Sequence, residues 1–149
     1  MLQRIQTLFL LGAVILSGLL FIVPISELLS TGPADATTGL PTIINTFILK
    51  TNSILVILNS AVAALAFFAI FLYKRRNVQI RIANLAMLLN LILLGLIFFA
   101  TDSMSSIDNA KTHFLYGIYL PVIATIFFYA AIRFIKRDEE LVRSADRLR

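Results

Sequence analysis

Residues 54 to 100 contain two apolar runs, each close to the roughly 20 residues that cross a hydrocarbon core, split by one short basic turn. The turn is Tyr73-Lys74-Arg75-Arg76-Asn77-Val78-Gln79-Ile80-Arg81 and carries four of the thirteen Lys and Arg residues. It reads as a hairpin between two membrane spans. Short loops rich in Lys and Arg stay on the cytoplasmic side of a bilayer, so this turn also sets the direction of every other segment.

Composition agrees. Hydrophobic residues make up 59% and charged residues 14%, against roughly 45–50% and 25% in soluble domains, which points to an integral membrane protein. A net charge of +5 would suggest a nucleic-acid partner for a soluble chain. Here the placement of the charges explains it as topology, and no nucleic acid is expected. The chain has no cysteine, which removes thiol redox chemistry, covalent haem attachment, iron–sulfur clusters and disulfide-tied loops.

In chain order, a short lead with Arg4 precedes an apolar run over about residues 7–25, bounded near its end by Pro24. This run exceeds the roughly 7–15 apolar residues of a signal peptide, and the one A-x-A match, Ala34-Asp35-Ala36, lies well beyond it. A retained first span is expected. Residues 26–53 form the longest connection. Within it Leu40, Ile43, Ile44, Phe47 and Ile48 recur at helical spacing, which predicts an amphipathic helix on the outer membrane surface, with a short β-hairpin as the rival. Further spans are expected at about 54–73, 82–100 and 114–135, with Pro121 kinking the first turns of the last.

The expected fold is therefore all-α. Four transmembrane helices form an antiparallel up-down bundle, one domain over residues 1–149, with a cytoplasmic helical extension at 136–149. With the basic turn inside, both termini are cytoplasmic, eleven of the thirteen cations fall inside, and only Lys50 and Lys111 fall outside.

Two sets of residues stand out. Lys74, Arg75, Arg76 and Arg81 of the turn, with Arg143, Arg147 and Arg149 of the tail, would meet lipid headgroups or a partner. Phe134, Leu141, Ala145 and Leu148 give the tail an apolar stripe of its own. Inside the spans, depth counted along each helix pairs Ser17 with Asn59 and Asn90 with Thr125 as interhelical polar contacts. Ser60, Ala63, Ala64 and Ala66 offer a small-residue surface expected to face a neighbouring helix.

The stretch from Tyr73 to Arg81, the start Met1-Leu-Gln-Arg-Ile-Gln-Thr7 and the ending Ile135-Lys-Arg-Asp-Glu-Glu-Leu-Val-Arg-Ser-Ala-Asp-Arg-Leu-Arg149 resemble a family of four-span inner-membrane proteins found in Bacteroidota. The family is a domain of unknown function. The resemblance covers the whole chain, is most specific at the tail, and implies location and span count without any catalytic or binding residue.

Motifs for chemistry are missing. Asp102, Asp108 and His113 share one outer loop but match no metal-site spacing, and His113 is the sole histidine. No ionisable residue lies deep within a predicted span, Arg133 standing at the cytoplasmic end of the last, so coupled transport has no proton or ion carrier, and no serine sits in a nucleophile motif. The expected protein is a multi-pass inner-membrane protein without cofactor or catalytic activity. Its contacts are the lipid bilayer and either a membrane-protein partner or further copies of itself. A small oligomeric transporter or channel is the alternative.

Overall fold

The computed structural model describes residues 2–29, 43–108 and 111–146, without the side chains at 2–4, 44, 74, 107, 108 and 142–146. Four helices dominate it: α1 (Leu2–Leu19), α2 (Ser53–Phe71), α3 (Arg76–Asp108) and α4 (Tyr119–Asp146). Three strands complete it: β1 (Ser26–Leu29), β2 (Ile43–Phe47) and β3 (Lys111–Phe114). Each helix packs on its neighbours in the chain, and α1 also packs on α4.

The molecule is mostly helical, so the all-α expectation is corrected by a small antiparallel sheet in the order β2-β1-β3. The amphipathic helix expected around residues 40–48 gives way, at 43–47, to a strand. The Ile and Phe residues of this stretch favour a strand as readily as they form a helix's stripe, and β1 supplies what local pattern cannot, a partner with Ser26 opposite Phe47. The expected polar return loop likewise holds β3, paired with β1 so that Ser26 faces Phe114.

The helix ends also move. Asn52 caps α2, its side-chain oxygen accepting from the Ile54 N–H at 3.0 Å. The third helix starts at Arg76 and continues to Asp108, past both ends of the expected 82–100 span. Hydropathy marks where lipid is, whereas hydrogen bonding carries a helix on through polar residues. At Pro121, where a kink is expected, α4 has only just begun. The proline lies in the first turn, where the N–H it lacks would have no helical acceptor.

Packing is inverted relative to a water-soluble bundle. Asn59, Asn90, Gln79 and Ser17 are buried, while Leu8, Ile57, Phe68, Phe99 and Ile126 are exposed. Three helical segments, Ser53–Phe71, Arg76–Ser106 and Tyr116–Leu141, are long and apolar enough to cross a membrane, and Ile5–Leu19 forms a shorter apolar helix. An apolar surface of this extent is the mark of a chain whose solvent is lipid.

Two cores fill the bundle. One, reaching toward the basic turn, contains Leu10, Ala13, Val62, Ala66, Ala69, Ala83, Ala86, Ala124, Phe128, Ala131 and Ile132. The other, beneath the sheet, is built of Leu20, Ile25, Phe47, Leu49, Leu55, Leu93, Ile97 and Ile118. Gly117 joins the sheet end to α4. Its N–H donates to the Pro24 carbonyl at 3.2 Å, and a Cβ at this position would stand 2.4 Å from that oxygen.

Candidate basic binding surface

The basic turn is built by tight local bonding. The second helix ends in a 3-10 turn, Leu72–Lys74, and the Arg75 N–H closes it on the Leu72 carbonyl at 2.9 Å. Gln79, buried one turn into α3, reaches back to donate from Nε2 to the Ala69 carbonyl at 3.0 Å. That carbonyl, in the last turn of α2, also accepts the Leu72 N–H, so Gln79 adds a second donor and ties the start of α3 to the end of α2. Gln6 does similar work between α1 and α4, donating to the Phe134 carbonyl at 3.3 Å. Beside it the Phe9 ring stacks on Phe134, with centroids 5.5 Å apart.

Arg76 then ties the turn to the extended end of α4. Its Nη2 lies 3.0 Å from Asp138 Oδ2, and its Nη1 donates to the Asp138 carbonyl at 3.0 Å. The carboxylate contact is an ion pair without an aligned hydrogen bond, since Oδ2 has no hydrogen-bond partner among the described residues. Both side chains are largely covered, at 24% and 13% exposure, so the pair is screened less than one in open water.

Of the cations singled out in the sequence, Arg76 is therefore engaged internally, while Arg75 and Arg81 are exposed. The side chains of Lys74, Arg143, Arg147 and Arg149 lie outside the described residues. The structure adds a cluster that those seven residues did not include. Arg133, Lys136 and Arg137 line an open cavity of about 450 Å³ on α4, together with Tyr129, Ile132 and Glu140. Spacings of three and four residues would have gathered them onto one face, had the span boundary near 135 not divided them between lipid and tail.

The four polar residues paired by depth in the sequence fall at two sites. Asn90 Nδ2 donates to Thr125 Oγ1 at 2.9 Å and to the Pro121 carbonyl at 2.8 Å, joining α3 to α4. Asn59 Nδ2 donates at 2.9 Å to the main-chain carbonyl of Ser17, joining α2 to α1. The Ser17 hydroxyl takes no part, and it and Asn59 Oδ1 have no hydrogen-bond partner among the described residues. The small-residue surface of α2 is rotated from its expected position. Ala66 is buried, but Ser60 and Ala64 are exposed, and Leu55, Asn59, Val62 and Ala69 complete the inward face.

At the sheet end, Glu27 of β1 stands opposite His113 of β3. Among the described residues, no three His, Cys, Asp or Glu side chains come together in a group able to hold a metal.

A family model described as "Domain of unknown function (DUF4293)" matches residues 2–148. The chain belongs to this family. No curated protein and no solved structure matches the chain. The DUF4293 description assigns its members no activity.

Proposed function

We propose that the chain is a non-catalytic protein of the bacterial inner membrane, spanning it four times with both termini cytoplasmic, that scaffolds a membrane-protein partner through its basic end. The observation that carries this reading is the bracing of that end. Arg76 on Asp138 and Gln79 on the Ala69 carbonyl hold turn and tail in one arrangement, leaving Arg75, Arg81, Arg133, Lys136 and Arg137 exposed around it. A braced array of like charges loses little entropy on meeting an acidic surface. The cytoplasmic assignment follows from the excess of Lys and Arg at this end. Counting α1 as a span is supported by the exposed side chains among its described residues, Ile5, Leu8, Leu11, Ile15 and Leu19, all apolar.

The test is purification in mild detergent at low salt, followed by measurement of stoichiometry. The expected result is a defined foreign subunit that is lost when Arg75 and Arg81 are both replaced by Glu, with the fold unchanged by circular dichroism. A closed ring of identical copies would overturn the scaffold in favour of an oligomeric transporter or channel. That rival needs several copies, because the buried amides of Asn59 and Asn90 are bonded across helix pairs within this one.

A further inference from the structure

We infer that the cluster on α4 is a binding site for the phosphate of an anionic phospholipid, with one acyl chain running along the same helix face. The inference rests on the chain's being embedded in a membrane, as proposed above, and not on its having a protein partner.

Three observations converge. First, Arg133, Lys136 and Arg137 crowd onto two helical turns around one open cavity, and Glu140 is the sole carboxylate lining it. Among the described residues none of the three has an ion-pair partner, whereas Arg76, at the same end, is engaged with Asp138. Arg133 and Arg137 are four residues apart, which sets their Cβ atoms about 6 Å from each other, a spacing that a phosphate between the two guanidinium groups can bridge.

Second, this face continues as lipid-facing surface. Val122, Ile126 and Tyr129 are exposed at 41%, 60% and 58%, and with Arg133, Lys136 and Arg137 they fall within an arc of about 100° on a helix of 3.6 residues per turn. Tyr129 places an amphipathic ring one turn before the first cation, where an aromatic residue sits at a membrane interface.

Third, the lengths agree. From Val122 to Arg133 the helix rises about 16 Å, close to one leaflet of a hydrocarbon core roughly 30 Å thick. A free phosphate ion would need the cations alone. A phospholipid uses both the cations and the apolar stripe that leads to them, and this match selects it as the occupant.

The chain contains no tryptophan, so a single Ile126→Trp substitution at an exposed site supplies an unambiguous fluorescent reporter. The full chain carrying it is reconstituted in vesicles that mix phosphatidylcholine with phosphatidylglycerol, with either lipid brominated in turn to quench a tryptophan it touches. The expected result is preferential quenching by brominated phosphatidylglycerol, a relative binding constant of about 5 or more. Arg133→Gln with Arg137→Gln should bring this ratio close to one, while Arg75→Gln with Arg81→Gln, an equal loss of charge, should leave it in place. A ratio of one in the reporter chain would overturn the site whether or not any charge variant folds. So would equal losses in the two double variants, which would mean unspecific attraction to the membrane surface. Loss of the preference in excess inorganic phosphate would reassign the cluster to a free anion. Because the measurement uses the isolated chain, its failure leaves the scaffold reading standing, and absence of a partner subunit leaves the lipid site standing.

Discussion

The two halves of the bundle solve the same packing problem with different side chains. Toward the basic turn, seven of the eleven buried core residues are alanine. Beneath the sheet, the core has no alanine and is filled by Leu, Ile and Phe47. Lipid gives apolar helices no hydrophobic reason to associate, so small side chains that let backbones approach closely are the means of holding them together. At the sheet end the chain leaves regular helix, and bulky residues fill the space between helix ends and strands. Close approach secures one half and volume secures the other.

The largest expected effect comes from removing volume at the sheet end. Leu49→Ala, at a fully buried position just after β2, should lower stability by about 3 kcal/mol, because a cavity forms and apolar surface meant for burial is exposed to water in the unfolded state. Leu93→Ala, equally buried but deep in α3, should cost clearly less, since lipid solvates the unfolded helix and only the packing loss remains. Equal losses in a detergent unfolding titration would break the comparison.

Adding volume should hurt the other half. Ala83→Leu, at 0% exposure among alanines, should cost about 2 kcal/mol by forcing α3 from its neighbours, measured in the same titration. A neutral result would show that the alanine half is loosely packed. Smaller still is the effect of Arg76→Gln, about 1 kcal/mol, read as faster hydrogen exchange in α4 beyond Asp138 with the sheet unchanged. At the bottom of the range, Ser60→Ala should change stability by less than about 0.5 kcal/mol, because Ser60 is exposed and donates to the Val56 carbonyl of its own helix.

These contrasts also explain what the sequence could disclose. Long apolar runs specify helices locally, so α2 and the middle of α3 were legible residue by residue. The meeting of Asn90 with Thr125 followed from depth along adjacent antiparallel helices, a property of one dimension. Helix rotation is a second dimension, and there the reading of α2 went astray. Ser60 and Ala64 are as small as Ala66 and Ala69, and only the neighbours decide which pair turns inward. The sheet was least legible, since β1 finds β3 across nearly the whole bundle and a four-residue strand such as Lys111-Thr112-His113-Phe114 carries no signal of that partner. At the basic end, the net charge of each segment was visible, but the engagement of Arg76 with Asp138 was not, because it joins two segments that are polar on any count.

The central position of β1 has a consequence for the order in which the molecule is assembled. Synthesis runs from the N-terminus, so β1 and β2 emerge long before β3, whose Phe114 must pair opposite Ser26. The central strand therefore waits with one edge open while α2 and α3 are inserted. Arrival of β3 closes that edge and seats Gly117 against Pro24. The sheet acts as a clasp fastened last. A chain stopped at residue 108 should insert α2 and α3 yet present an unpaired edge at β1, and faster amide hydrogen exchange at Ser26–Leu29 than in the full chain would report that unfinished state.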